Sequence, residues 1–182
     1  WVIRVGDVES LFNLAEAFSH QPLPRGPNLG IVTNSGGPGI LAADACERSR
    51  LHMASLSQAT IAKLQSFLPT FAALYNPVDI IGDSDAARYK LAIEAVLADP
   101  MVHSLLVILT PVASVEVEAT AQVIVDAARR SDKPIFACFM GKKYVAPGRR
   151  ILQEGGVPCY AFPEPAIHSI ESMYSYALRR NR

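Results

Sequence analysis

The sequence predicts an α/β protein with a doubly wound, mainly parallel sheet in three layers and an N-terminal helical arm. Short apolar segments alternate along the chain with longer segments of helical periodicity. The apolar segments are hydrophobic at successive positions, as in Leu105–Leu109. Strands of this kind are typical of parallel sheets that helices cover on both faces. The alternation and the two-sided apolar strands together predict the doubly wound class.

The first predicted element is a helical arm that ends in a proline-rich linker. Leu11, Leu14 and Phe18 recur at helical spacing after Asp7. Prolines at positions 22, 24 and 27 then prevent the helix from continuing. We therefore predict an arm and linker over residues 1–27 and a single α/β domain over residues 28–182.

Within the domain, strand-length apolar segments alternate with helix-length periodic segments. The predicted strands are Leu29–Thr33, Leu51–Leu56, Val78–Ile81, Ser104–Thr110, Pro134–Phe139 and Pro158–Phe162. The predicted helices are Ile40–Arg50, Thr60–Phe67, Ala86–Ala98, Glu116–Arg130, Tyr144–Glu154 and Pro165–Arg180. For the strand order we expect the flavodoxin-like arrangement, which is common among domains of this size.

Composition limits the classes of partner. The chain has 182 residues, 17 of them basic and 17 acidic, and is 50% hydrophobic. This excludes a disordered chain, and the lack of a basic excess argues against a nucleic-acid partner. No apolar run approaches the roughly 18 residues that span a bilayer, so we expect no membrane partner.

Cysteine usage bears on compartment and on metal binding. Cys46, Cys138 and Cys159 are scattered and form neither a disulfide framework nor a zinc-ligand spacing. We therefore expect no metal site, a reducing compartment and a cytoplasmic location. The chain begins with Trp1 and no leader follows it, so we expect it to be a piece of a longer protein.

The most informative segment is a glycine-rich turn after the first strand. A helix N-terminus with free N–H groups favours an anion, most of all a phosphate. The predicted phosphate-binding residues are Asn34, Ser35, Gly36, Gly37, Pro38 and Gly39. The spacing matches neither the dinucleotide fingerprint nor the Walker loop. The alternative is that the glycines only allow a tight strand–helix connection.

Three further segments should reach the same edge of the sheet, where ligands bind in such folds. The candidate edge residues are Thr33, Asn76, Asp79 and Thr110. For Asn76 and Asp79 a local role stays equally open, since Asn76 can cap the turn before Pro77 and Asp79 can bond a nearby amide. For Asp83 we favour the local role.

Several ordered segments together resemble a known family. They are Gln21–Gly26, Ile31–Gly39, Asn76–Asp83, Val107–Pro111 and Lys133–Gly141. The chain is similar, from about Gln21 onward, to the succinyl-CoA-synthetase-like flavodoxin (CoA-ligase) domain of NDP-forming acyl-CoA synthetases. This group includes the ADP-forming acetyl-CoA synthetases and proteins in which the module is fused to a protein acetyltransferase.

The resemblance implies a part in a larger reaction. Enzymes of that family interconvert acyl-CoA, ADP and phosphate with acid, CoA and ATP, through a phosphorylated histidine. It implies that residues 34–39 stabilise the phosphoryl group on a histidine of another domain. The implied partners are CoA-binding, histidine-bearing and ATP-grasp domains or subunits. CoA and ATP or ADP with magnesium are expected for the complete enzyme, with none bound tightly by this domain, which alone should be inactive.

No catalytic residue is predicted in this chain. His20, His52, His103 and His168 lie outside any glycine-flanked loop that resembles the phosphohistidine segment. We therefore expect them to be structural or surface residues. The basic run at Lys142, Lys143, Arg149 and Arg150 is expected to be a solvated helix face or a contact to a neighbouring domain or to a CoA phosphate.

Two functions of other classes stay open. One is a regulatory or scaffold domain of a fused protein acetyltransferase in which synthetase chemistry has been lost. The other is a small flavin-binding electron carrier, although the Ser/Thr-rich phosphate loop of such proteins is missing. A hydrolase is disfavoured because Ser35 lacks the G-x-S-x-G spacing of a nucleophile elbow.

Overall fold

A computed structural model of the chain describes residues 2–112 and 115–180, so the predicted outer domain bounds at 1 and 182 lie outside the described residues. Within that part, six strands alternate with seven helices. The strands are β1 Asn28–Thr33, β2 His52–Met53, β3 Val78–Asp79, β4 Ser104–Leu109, β5 Ile135–Phe139 and β6 Cys159–Tyr160. The helices are α1 Val8–His20, α2 Gly36–Glu47, α3 Gln58–Gln65, α4 Ala86–Ala98, α5 Val117–Arg130, α6 Ala146–Glu154 and α7 Pro163–Arg180.

The strands form one parallel sheet in the order β2-β1-β4-β5-β6, with β3 also paired to β1. β2 pairs with the first residues of β1 and β3 with its last two, so the two short strands share one edge of β1. The central pairing of β1 with β4 runs from Leu29↔Ser104 to Thr33↔Ile108. The predicted class, α/β with a doubly wound parallel sheet of flavodoxin-like order, is confirmed.

An asparagine side chain explains why β2 and β3 are separate pieces. The Asn76 amide donates to Leu29 O at 2.7 Å and to Ala54 O at 3.1 Å, and it accepts from Ile31 N at 2.9 Å. It thus satisfies the backbone of β1 over the gap between β2 and β3. The predicted strand Leu51–Leu56 is therefore wrong in extent.

The core lies in two clusters, one on each face of the sheet, as a three-layer architecture requires. α3, α4, α5 and α6 cover one face, and α1, α2 and α7 cover the other. The arm belongs to the second layer. Ala17 of α1 is fully buried, and Phe18 makes an edge-to-face contact with Tyr176 of α7 at 5.4 Å. The division of the chain at residue 27 stays a prediction.

Polar contacts at the amino ends of the strands join β1, the C-terminus of α4 and the residues before β5. Lys133 Nζ donates to Leu97 O at 2.6 Å and to Asp99 O at 2.7 Å, which satisfies carbonyls at the C-terminus of α4. His103 Nδ1 accepts from Asn28 N at 3.1 Å, so the ring is neutral with its proton on Nε2. Burial lowers the pKa of His103 below its ordinary value of 6.5, and the charge of Lys133 lowers it further.

This contact predicts a loss of stability in mild acid. Because the folded-state pKa of His103 is lowered, its contribution is complete above pH 6.5 and is lost as the pH falls through the folded value. We expect the free energy of unfolding in urea to fall between about pH 7.5 and 5.5, and to fall less in His103→Asn, which keeps an acceptor near the Nδ1 position. The exposed His52→Asn variant is the control. An equal pH dependence of all three proteins would contradict this expectation.

Candidate anion site at the start of α2

The first turn of α2 is open to solvent and uncapped. Ser35 has extended backbone angles, φ −150° and ψ 127°, and its side chain accepts no capping hydrogen bond. The helix begins at Gly36, four residues before the predicted start at Ile40, because Gly36 and Gly37 adopt helical geometry ahead of Pro38. The glycines therefore form the first helical turn rather than a loop before it.

Two N–H groups of this turn are free to bind a ligand. Ser35 N donates to Thr33 Oγ1 at 3.1 Å, Pro38 has no N–H, and Gly39 N donates to Ser35 O at 3.3 Å. The N–H groups of Gly36 and Gly37 are the first two of the helix and have no intrahelical acceptor. Both glycines are exposed and no acidic residue lies in this turn.

Asn34 holds the turn in place. The residue is 2% exposed, and its side-chain amide donates to Thr110 O at 2.9 Å and accepts from Thr110 N at 2.8 Å. The amide thus pairs with both backbone groups of the residue that follows β4. A contribution of Asn34 to anion binding stays a prediction, but its observed partner is Thr110. The Thr110 hydroxyl is buried there without a hydrogen-bond partner among the described residues.

Of the remaining edge candidates, Thr33 and Asp79 lie at the turn and Asn76 does not. Asp79 Oδ1 accepts from Ile81 N at 2.9 Å, and its Oδ2 is 3.3 Å from the position that a Cβ at Gly36 would occupy. Thr33 donates to Ser35 O at 2.9 Å and is buried at the end of β1. Asn76 instead lies within the strand ladder, at the level of Leu29 and Ile31.

The loop after Asp79 is strained and tightly held. Ile81 has φ 75°, which is rare and costly for a β-branched residue. The buried Ser84 hydroxyl donates to Ile80 O and Ile81 O, and Arg88 donates to Ile80 O at 3.2 Å and to Asp83 at 2.7 Å. The sequence analysis did not identify Ser84 and Arg88 as contacts of this loop. The polar residues 82–85 before α4 indicated a turn, but not its hydrogen bonds.

The three cysteine thiols are not activated as nucleophiles. Burial raises the pKa of the Cys46 and Cys159 thiols to about 11 and that of Cys138 further still. All three therefore stay protonated near neutrality. Among residues 2–112 and 115–180, no three His, Cys, Asp or Glu side chains are grouped to hold a metal ion. No helix in the described part is long and apolar enough to cross a membrane.

Comparison with protein families decides the relationship. The model of the Ligase-CoA domain matches residues 29–181, which is most of the chain. This chain belongs to the Ligase-CoA domain family.

Characterised relatives carry the same domain within longer chains. The domain is 37% identical over 175 residues to a 4-hydroxybutyrate–CoA ligase (ADP-forming) of Nitrosopumilus maritimus, covering 96% of this chain and 25% of the relative. It is 35% identical to the alpha subunit of acetate–CoA ligase (ADP-forming) II of Pyrococcus furiosus, covering 90% of this chain and 36% of that subunit. The Ligase-CoA domain thus spans about a quarter to a third of these relatives.

Solved structures show the same fold. A protein of Pyrococcus horikoshii OT3 superposes with a TM-score of 0.91 at 34% identity, over 97% of this chain and 41% of that one. The dinucleotide forming acetyl-coenzyme A synthetase 1 of Ca. Korarchaeum cryptofilum, in complex with phosphate and ADP, also gives a TM-score of 0.91, at 30% identity over 99% of this chain and 39% of that one. The predicted resemblance is thereby confirmed.

The Asn34–Thr110 pairing should contribute to the stability of this Ligase-CoA domain. Asn34→Ala leaves the N–H and C=O of Thr110 without partners at a half-buried position next to the buried Asn34 site. We expect the free energy of unfolding in urea to fall by about 2–3 kcal/mol. Asn13→Ala, on the half-buried side of α1, is the control and should change it by less than about 1 kcal/mol. Equal losses in both variants would contradict the assignment.

Proposed function

We propose that this chain is the phosphate-handling domain of an ADP-forming acyl-CoA synthetase. In that role the start of α2 stabilises a phosphoryl group carried by a histidine of another domain. The observation that carries the proposal is the pair of uncapped N–H groups at Gly36 and Gly37. Both glycines are exposed and lie at the carboxyl edge of the sheet, directly after β1. Relatives named as ADP-forming CoA ligases support the reaction class.

The physical contribution is electrostatic. The N–H groups and the helix dipole place fixed partial positive charge at Gly36 and Gly37, so no side chain must reorganise when a phosphoryl group arrives. The Ser35 hydroxyl makes no capping bond and adds a donor at the same point. Ser35, Gly36 and Gly37 are thus the proposed contacts, and Pro38, Gly39, Asn34, Thr33 and Thr110 shape the turn.

The remaining chemistry is assigned to other domains or subunits. CoA, ATP or ADP, and magnesium belong to the complete enzyme, as do the phosphorylated histidine and the ATP-grasp and CoA-binding domains. The proposed role of this chain is to hold the phosphoryl group and to dock the domain that brings it, in the cytoplasm.

A matched pair of substitutions tests the N–H donors. Gly36→Pro deletes one donor, and the extended conformation of Ser35 accepts a following proline. Gly36→Ala keeps the donor and places the same Cβ beside Asp79. In the multidomain enzyme we expect phosphorylation of the histidine to be about 100-fold slower in Gly36→Pro than in Gly36→Ala, measured by rapid quench with labelled phosphate.

The same pair separates the proposed role from a scaffold role. Amide shifts of Gly37 should move on titration of this chain with inorganic phosphate, and should move less in Gly36→Pro than in Gly36→Ala. Equal phosphorylation rates in the two variants would overturn the proposal. A regulatory or scaffold function would then account for the domain.

Asp79 provides an independent test of the site's electrostatics. Its carboxylate lies beside Gly36 and repels an anion held there. Asp79→Asn removes the charge and keeps an oxygen for Ile81 N. We expect phosphate to bind this variant about fivefold more tightly at low ionic strength, with the gain shrinking as salt is added. Asp83→Asn, whose carboxylate pairs with Arg88, is the control. Unchanged affinity in Asp79→Asn would place the anion elsewhere.

A further inference from the structure

A basic pocket of about 350 Å³ lies beside α7. Three segments that are far apart in the chain line it: Ile3 and Arg4 before α1, Arg50 between α2 and β2, and one side of α7. Arg50 lies just beyond the C-terminus of α2, whereas the candidate anion site lies at the N-terminus of that helix. The 12 residues of α2 place roughly 18 Å between the two, so the pocket is a separate feature of the surface.

One side of α7 forms the base and part of the rim of the pocket. The residues that α7 contributes recur at helical spacing and so form one row along the helix: His168, Glu171, Ser172, Ser175 and Arg179. The buried residues of α7, among them Ile170 and Met173, occupy its opposite side. Ser172 and Ser175 are half-buried, whereas the three arginines are exposed. The pocket therefore has hydroxyl groups at its base and guanidinium groups around its rim.

The three guanidinium groups face a single carboxylate, that of Glu171. Glu171 Oε1 accepts from Arg50 N at 3.1 Å, which ties the connection between α2 and β2 to α7. Arg179 Nε donates to Ser175 O at 3.2 Å, a bond that does not use its two terminal nitrogens. Among residues 2–112 and 115–180, none of the three guanidinium groups forms an ion pair with a carboxylate. The pocket thus has an excess of positive charge in a protein with no net charge.

Helix electrostatics account for only part of this arrangement. Arg50 and Arg179 lie near the C-terminal ends of α2 and α7, where the helix dipole favours a positive charge. Arg4 lies at neither end, and the hydroxyls of Ser172 and Ser175 gain nothing from the dipole. What these five side chains share is the pocket that they line together.

We propose that this pocket binds the diphosphate group of a small ligand. A guanidinium group binds phosphate oxygens through paired N–H donors, and the serine hydroxyls supply further donors. Cations on three separate segments suit a ligand whose negative charge is spread over two phosphates better than a single carboxylate. A volume of about 350 Å³ lies within the range of small-molecule sites. The site goes beyond the proposed function and does not depend on it.

Titration of this chain with inorganic pyrophosphate, followed by NMR, tests the site. We expect the amide signals of Arg50, Ser172 and Ser175 to move together and to give one dissociation constant. The Gly37 signal reports the start of α2 separately, so binding at the two places is distinguished within one titration. A parallel titration with ADP identifies the source of the diphosphate. Tighter binding of ADP than of pyrophosphate assigns the pocket to a nucleotide, and equal binding assigns it to the diphosphate group alone.

Charge-matched variants test whether the arginines of the pocket are responsible. Arg50→Gln keeps the backbone bond to Glu171, and Arg179→Gln changes an exposed side chain, so both variants should fold. Each should bind pyrophosphate about fivefold more weakly. Arg129→Gln makes the same change of charge at an exposed position of α5, on the opposite face of the sheet, and should change the affinity less than twofold.

Three results would overturn the inference. Pyrophosphate that moves only the Gly37 signal would leave the start of α2 as the anion site and this pocket without a ligand. Equal weakening by all three substitutions would show attraction by overall charge rather than binding in a pocket. A glutamate-rich peptide that displaces pyrophosphate and binds more tightly would assign the pocket to an acidic protein segment instead. None of these results bears on histidine phosphorylation, so the proposed function stands or falls separately.

Discussion

The pairing of the Asn34 amide with both backbone groups of Thr110 is the interaction on which the carboxyl edge depends. β1 and β4 are neighbours, but the helices that follow them pack on opposite faces of the sheet. Such a reversal opens a crevice between the strand ends. The Asn34 side-chain amide spans this crevice. It pairs with the N–H and C=O of Thr110, which a further residue of β1 would otherwise have to satisfy. The start of α2 is therefore held relative to β4 before any ligand arrives.

A second asparagine side chain satisfies backbone groups on the other side of β1. Asn76 uses its amide to satisfy Leu29, Ile31 and Ala54 where β2 has ended and β3 has not begun. In both places an asparagine that was predicted as a possible ligand-binding residue uses its side-chain amide to hydrogen-bond the backbone of the sheet. On the proposed function, the groups that contact the ligand are instead backbone N–H groups, which carry no signature of their own in the sequence.

This division explains how far prediction from the sequence could reach. Helix α4 was predicted with the observed bounds, Ala86–Ala98, and the structure shows Asp85, a residue type favoured at helix N-caps, accepting from Arg88 N at its start. The two-residue strands β2, β3 and β6 were predicted too long because apolar patterning does not reveal how many residues a short edge strand pairs. The buried hydroxyl of Tyr89 on α4 donates to Ile108 O on β4, a contact that the sequence could not reveal because the two residues lie on different elements.

A protein with no net charge can still attract an anion locally at this edge. On the proposed function, Gly36 and Gly37 attract a phosphoryl group through fixed dipoles while the Asp79 carboxylate beside them opposes it. The two effects partly cancel, so free phosphate is held weakly. A group that must be passed between domains has to leave as readily as it arrives, and tight ground-state binding would slow its transfer. A rigid pair of donors with an opposing charge meets that requirement better than a cluster of arginines, which would retain the anion.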